Sequence, residues 1–341
     1  MYGETVLDFI LTPIHSLHKA IDRLLCTATM RCVLHVGPVD TPGGMSKVIQ
    51  ILADNPPDGW AAETLNSHST GNVFAKIRAW YRARKFIKNN ANKYDIIHFH
   101  SAADFSFRRK LNLANYAGKL RKPILFHIHS GKFDKWAKKR KNIKYNLKPF
   151  TIAVLSDYWR HKLEPIIGIC EVVNNPINPY ISKGAKESRK KKQLLLLGRP
   201  DPVKGHEFAF EIARKMRLEG WELLATGTKH CEPGIKGLGW VSEERKNLLL
   251  QDSTVLLLPS KFEGQPMVML EAMSAGCQII ASENIPELPD CVHSASLDNS
   301  KSWVESIQNL TILSSSKYLE KHSIEFINQK WAELYSRILT D

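Results

Sequence analysis

Thr254-Val255-Leu256-Leu257-Leu258-Pro259-Ser260-Lys261-Phe262-Glu263-Gly264-Gln265-Pro266-Met267-Val268-Met269-Leu270-Glu271-Ala272-Met273 passes from a continuous apolar run, through a polar loop, into a second apolar stretch. The first run is short and uninterrupted, which suits a parallel strand covered on both faces. Pro266 fits the first turn of a following helix, where its missing N–H costs nothing. Glu263 then sits just past the strand, and Glu271 about a turn and a half along the helix. Both carboxylates can face one cleft, with the helix N-terminus between them offering N–H groups to a phosphate. Spacing alone serves a plainer reading equally well: a surface Glu and a helix Glu with a solvent partner, since Glu pairs at any spacing are common.

Outward from this unit the same alternation repeats. Upstream, Gln193 to Gly198 reads as a strand, Glu207 to Leu218 as a helix, and Trp221 to Gly227 as another strand. Downstream, Cys277-Gln278-Ile279-Ile280-Ala281 is the next strand. The first half follows the scheme too. Cys32 to Val36, Asp95 to His100, Pro123 to His129, Thr151 to Leu155 and Glu171 to Val173 read as strands, with a helix from about Met45. Between the halves, Asn174 to Lys192 holds Pro176, Pro179, Gly184 and the run Arg189-Lys190-Lys191-Lys192. Such breaker-rich polar composition marks a linker. The expected organisation is an N-terminal segment 1–29, a Rossmann-like domain 30–176, a linker 177–192, a second Rossmann-like domain 193–320 and a closing segment 321–341. Two doubly wound α/β domains enclose a cleft at the carboxyl ends of their sheets, where ligands of open sheets bind.

Composition narrows the function. The 341 residues suit two domains of ordinary size, and no apolar run reaches the roughly 18 residues of a membrane span. Glu4 and Asp8 stand where a secretory signal would be basic, so a cytoplasmic location is expected. Six scattered cysteines with no C-x-x-C pair read as reduced core residues. The net charge of +14 calls for an anionic partner: a phosphorylated small substrate, an anionic membrane face or nucleic acid. Nucleic acid is not expected, because neither a zinc finger nor an RNA-binding signature accompanies the charge.

The stretch from Glu263 resembles the E-x7-E signature of the family 4 glycosyltransferases in its E-G-x-P-x-V-x-L-E-A-M form. Leu197-Gly198-Arg199-Pro200-Asp201-Pro202-Val203-Lys204-Gly205 is similar to that family's G-R-x4-K-G segment, and Gly239-Trp240-Val241 to its G-W-V strand. Gly43-Gly44 and His129-Ser130-Gly131 match more loosely. Ser323 to Leu339 looks like the closing helix that returns to the first domain. The resemblance implies a GT-B fold and a retaining transferase taking its sugar from a nucleotide diphosphate, and the lack of any Asp-x-Asp, the usual carboxylate anchor of a metal-bound diphosphate, makes metal independence the expectation. Arg199 and Lys204 would stabilise the leaving phosphates, Glu271 the ribose hydroxyls, Glu263 the donor sugar, and His129 the reacting centre. Gly264, Gln265, Pro266 and Met267 would border the donor. Gly43-Gly44 would let backbone approach the phosphates; as residues alone they read equally as a turn after Pro42. The Pro after Glu263 comes at the third position rather than the fifth, and Ser282-Glu283-Asn284-Ile285-Pro286-Glu287 replaces the usual Gly-Gly-x-x-Glu. Both departures fall near the donor.

His98-x-His100 and His127-x-His129 each place two imidazoles on one strand face. Four such rings could hold a metal, but no carboxylate accompanies them at ligand spacing, so hydrogen-bonded core or cleft roles are expected and no metal site is assigned. No cofactor is expected either: Gly37 to Lys47 lacks the Gly-Lys-Ser/Thr order of a P-loop, and no G-x-G-x-x-G is present. The expected partners are a nucleotide sugar, a glycan or lipid-linked glycan acceptor of surface polysaccharide synthesis, and an anionic membrane surface. The last rests on the stripe Leu7, Ile10, Ile14, Leu17, Ile21, Leu24, which serves equally to dock on the protein itself or on a second copy, and on basic clusters at 108–110 and 138–141. The alternatives are a GT-B nucleotide-sugar epimerase, distinguished by product without acceptor, and an inactive GT-B scaffold, distinguished by the lack of donor hydrolysis.

Overall fold

A computed structural model describes residues 30–181, 184 and 192–340. The apolar stripe from Leu7 to Leu24 and most of the basic run before Lys192 lie outside the described residues.

The first sheet holds β1 (Arg31–Gly37), β2 (Trp60–Asn66), β3 (Ile96–Ser101), β4 (Ile124–Ile128), β5 (Thr151–Val154) and β6 (Glu171–Val172). It is parallel throughout, in the order β2-β1-β3-β4-β5-β6. Its helices are α1 (Gly44–Asp54), α2 (Val73–Asn90), α3 (Asp104–Lys119), α4 (Phe133–Ala137), α5 (Ile143–Leu147) and α6 (Asp157–Ile167). The second sheet holds β7 (Gln193–Leu196), β8 (Glu222–Thr226), β9 (Cys231–Glu232), β10 (Ile235–Gly239), β11 (Val255–Leu258), β12 (Gln278–Ser282) and β13 (His293–Ala295). Its order is β13-β12-β11-β7-β8-β10-β9, with only the short β9 antiparallel to its neighbour. Around it lie α7 (His206–Met216), α8 (Glu243–Asp252), α9 (Met267–Ala275), α10 (Ser300–Gln308) and α11 (Ser316–Glu320). The last helix, α12 (Ile324–Thr340), packs Trp331, Leu334 and Tyr335 into one apolar cluster with Val33, Val48, Trp60 and Ile96 of the first domain.

Every residue of β7 and β11 is buried, as uninterrupted Leu-rich runs require when helices cover both sheet faces. Strand β2 escaped the sequence reading because Trp60-Ala61-Ala62-Glu63-Thr64-Leu65-Asn66 has no continuous apolar run. It is the edge strand, half in solvent, and needs none. Trp240 and Val241 were expected in a strand, but β10 stops at Gly239, whose φ of 66° turns the chain away. Pro266 precedes α9 as its N-cap rather than sitting in its first turn. The fold puts the carboxyl ends of the central strands of both sheets against one cleft.

Candidate functional site

The loop after β11 carries Glu263, and the loop after β7 carries Arg199 and Lys204. Gly205 has a φ of +72°, and a Cβ on it would come within 2.4 Å of the Pro259 carbonyl oxygen. A glycine there lets the β7 loop lie directly on the end of β11, which brings the neighbouring Lys204 to Glu263. The ammonium and carboxylate are 2.5 Å apart and largely shielded from solvent. Arg199 lines the same cleft and has no ion-pair partner among the described residues.

Glu271, one helical turn inside α9, is 3% exposed. Burial raises its carboxyl pKa, and the Lys246 ammonium, 2.8 Å away on α8, opposes that rise. Lys246 also lies 2.9 Å from Glu243, and Glu243 lies 2.8 Å from Lys47 on α1 of the first domain. Burial works against the Lys246 charge, but Glu271 and Glu243 outweigh it and hold its pKa above the ordinary lysine value. Four alternating charges thus run from the first domain across the cleft to the buried carboxylate.

The two domains also meet backbone to backbone. A Cβ on Gly131 would fall 2.1 Å from the Glu263 carbonyl oxygen, and one on Gly264 would fall 2.5 Å from that of His129. Only glycines allow the His129-Ser130-Gly131 loop to approach Glu263 this closely. The Trp159 indole N–H donates to the Gly264 carbonyl at 2.8 Å, and the Asn175 amide N–H to the Gln265 side-chain oxygen at 2.6 Å. Across the cleft, α1 and α9 point uncapped N-termini at each other: no side chain caps either helix, and Gly44 faces Met267. Gly43 has a φ of +154°, and nothing stands within 4 Å of where its Cβ would be. This is an open backbone surface rather than a packed turn.

Below the cleft the imidazoles are more numerous than expected. His35 of β1 joins His98, His100, His127 and His129 in one stack, buried except at His129, which reaches the cleft. The His129 Nε2 lies 3.0 Å from His100 Nδ1, and His100 Nε2 lies 2.9 Å from His35 Nδ1. His98 is tied instead to the Tyr335 hydroxyl of α12 at 2.9 Å. Burial pushes His35 and His129 down to about 3, the latter helped by the Lys110 charge, so the rings are neutral. Both nitrogens of His127 lack hydrogen-bond partners among the described residues. The ring nitrogens of His35, His98 and His100, and those of His100, His127 and His129, fall within 4.8 Å of one another, close enough to share an ion. Yet the nitrogens joining His35, His100 and His129 are already engaged with each other, and no carboxylate takes part in either group.

Gly43, Gly44, His129, Arg199, Lys204, Glu263, Gly264, Gln265, Pro266, Met267 and Glu271 all line one cleft of about 400 Å³ between the domains. Sequence reading brought these residues forward and missed Lys47, Glu243 and Lys246, which line the same cleft. Their positions follow Gly43-Gly44 and the G-W-V segment closely, the one signal that could have found them. An isolated lysine or glutamate in a helix otherwise announces nothing.

Residues 191–311 match the family model described as glycosyl transferases group 1. The chain is 23% identical over 338 residues, covering 87% of it and 92% of its relative, to an uncharacterized 41.2 kDa protein in the cps region of Klebsiella pneumoniae. It is 36% identical to the O-antigen chain mannosyltransferase B of Escherichia coli over 77 residues, 23% of this chain and 19% of that one. The sucrose-phosphate synthase of Thermosynechococcus elongatus has a similar structure, with a TM-score of 0.67 at 15% identity over 91% of this chain and 99% of that one. The fold is GT-B, and the match to the group 1 glycosyltransferase model lies within its second domain.

Proposed function

From a GT-B fold whose second domain contains the match to the group 1 glycosyltransferase model, we propose a retaining, metal-independent transferase that moves a sugar from a nucleotide diphosphate to a glycan of a surface polysaccharide. The observation that carries this is the convergence of Arg199, Lys204, Glu263 and Glu271 with the uncapped N-terminus of α9 on one side of a cleft, facing His129 on the other. Departure of a diphosphate develops negative charge, and preorganised cations and N–H groups placed there lower the barrier. Arg199, Lys204 and the α9 N-terminus meet the phosphates. Glu271 accepts the ribose hydroxyls from its buried position, and Glu263 those of the sugar. The acceptor hydroxyl attacks the anomeric carbon on the face the diphosphate leaves, its proton departing with the phosphate oxygen. No protein nucleophile is required.

The relatives in a cps region and in O-antigen synthesis support a polysaccharide acceptor, held chiefly by the first domain. Among the described residues no helix is long and apolar enough to cross a membrane. The proposed place of action is the cytoplasmic face of the membrane, reached peripherally.

A thermal-shift screen against UDP-, GDP-, ADP- and dTDP-sugars tests the donor assignment. A ligand at about 100 times its Kd stabilises by roughly 2.7 kcal/mol. Product anomeric configuration by NMR, with and without EDTA, tests retention and metal independence. An inverted product, or activity abolished by EDTA and restored by a divalent ion, would overturn those parts. Binding of no nucleotide sugar would overturn the whole.

A further inference from the structure

Lys110 of α3 is fully buried, yet the only hydrogen bond of its side-chain amine among the described residues is to the Ser106 hydroxyl at 2.8 Å, and no carboxylate there pairs with it. Buried ammonium groups are ordinarily paired, because desolvating a lone charge is costly. Residues 106, 109 and 110 lie three and four apart, on one face of the helix. Arg109 reaches the His68 Nδ1 at 3.2 Å, and its own Nε has no acceptor among the described residues. Burial and the charges of Arg109, Lys110 and Lys76 together push His68 below its ordinary pKa, so three cations crowd one imidazole with no acid among them. The nearby Asp104 carboxylate lies 3.6 Å from Lys132. His68, Lys76 and the start of α3 all follow carboxyl ends of first-sheet strands, the edge that also carries His129, where the Lys110 charge is felt.

We infer that Ser106, Arg109, Lys110 and His68 form an anion site on the first domain that takes a phosphate group carried by the acceptor. Ser106 accepts from Lys110, which leaves its own O–H free to donate. Arg109, half-buried beside it, supplies the second cation. Phe105 and Phe74, 80% and 81% exposed, start α3 and α2 at this edge and provide apolar surface for a chain attached to the phosphate. The favoured acceptor is therefore a glycan on a lipid phosphate or diphosphate. The site itself stands on the first domain alone; its assignment to the acceptor rests on the transferase reading above.

The probes are farnesyl diphosphate, inorganic pyrophosphate and phosphatidylglycerol vesicles, added to the full chain with and without saturating nucleotide diphosphate. Both diphosphates should raise the unfolding midpoint, farnesyl diphosphate binding at least tenfold more tightly, and saturating nucleotide should not remove the shift. Lys110→Met should lose the diphosphate shift, since the amine that burial holds down to about 7, and that a bound anion would keep charged, is gone. Arg109→Gln and Ser106→Ala should weaken diphosphate binding at least tenfold while leaving nucleotide binding unchanged, and they serve if Lys110→Met does not fold. A folded Lys110→Met protein that kept the full diphosphate shift would overturn the site. So would loss of the shift on saturation with nucleotide, which would place the diphosphate in the donor cleft. Response to vesicles alone would overturn the acceptor assignment. Failure of nucleotide sugars to bind, with the diphosphate shift intact, would sink the transferase reading and leave the anion site standing.

Discussion

The Lys204 ammonium and the Glu263 carboxylate form an ion pair 2.5 Å long inside the cleft. Two groups proposed for opposite ends of the donor, its phosphates and its sugar, therefore neutralise each other. A donor must exchange this pair for its own contacts, phosphate on Lys204 and sugar hydroxyls on Glu263. The pair preorganises both side chains without holding an uncompensated charge in a half-buried cleft.

Lys204→Ala removes a charge-assisted contact that strengthens as the diphosphate leaves, and Arg199→Ala does the same. Turnover should fall by roughly 10²–10³, the scale for loss of one preorganised donor. Steady-state kinetics at saturating donor measure this. Near-normal turnover in either variant would falsify the phosphate assignment.

Glu271→Gln should weaken donor binding more than it slows the chemical step, because the ribose is remote from the breaking bond and its contact is uniform binding. Glu263→Gln should instead lower turnover. Reversed signatures would exchange the two roles. A 2′-deoxyribonucleotide donor should lose most of its sensitivity to Glu271→Gln, since the contact at stake is already gone.

Lys246→Met tests the charge chain behind Glu271. Without Lys246, burial loses its main opponent, and the Glu271 carboxyl rises further above its ordinary pKa. Protonation then removes acceptor capacity as pH falls, so donor KM should increase toward low pH in the variant while staying flatter in the parent. Identical pH profiles for the two proteins would mean that Lys246 does not tune the carboxylate.

The imidazole stack makes a prediction about stability. His35 and His129, held at about 3 when folded, titrate near 6.5 when unfolded, so between these values the unfolded chain binds more protons. Stability must therefore rise with pH through this window and be lost progressively as pH drops below about 6.5. Each such histidine contributes a slope of up to about 1.4 kcal/mol per pH unit. His127→Leu removes a buried ring whose nitrogens have no hydrogen-bond partner among the described residues. It should leave neutral-pH stability unchanged or higher and reduce the slope by about one proton. Urea unfolding at a series of pH values reads both, and an unaltered slope would show that His127 is protonated in the fold.

Sequence made the alternation of strands and the E-x7-E loop legible because both are local: each strand is a continuous apolar run, and Glu263 and Glu271 sit within one βα unit. What it left hidden is long-range. Lys246 meets Glu271 only because α8 and α9 pack together, and Lys47 meets Glu243 only because the domains close on each other. His35 looked like one more strand residue until β1 was placed beside β3, in register with His98. Edge strand β2 was missed for a different reason: half-exposed strands have no uniform hydrophobic signature.

Peripheral binding to an anionic membrane is the remaining prediction, and the first domain now carries a surface for it independent of the segment 1–29. Helix α2 exposes Val73, Phe74, Ile77 and Tyr81 in its first half, and Phe105 adds to this edge from α3. From Val73 to Asn90 the helix has Lys76, Arg78, Arg82, Arg84, Lys85 and Lys88 and no acidic residue. Aromatic and aliphatic side chains enter the interfacial region of a bilayer, while each nearby Lys or Arg adds about 1 kcal/mol against anionic lipid. A polar glycan acceptor with a lipid tail would then reach the cleft while the tail stays in the membrane. Co-sedimentation with vesicles rich in phosphatidylglycerol should capture the protein, neutral vesicles should capture less, and high salt should release it. Phe74→Glu combined with Ile77→Glu should weaken capture tenfold or more without changing nucleotide binding. Capture that ignored lipid charge and salt would defeat the electrostatic claim. Undiminished capture of the double variant, lost only on deleting residues 1–29, would move the contact to the N-terminal stripe.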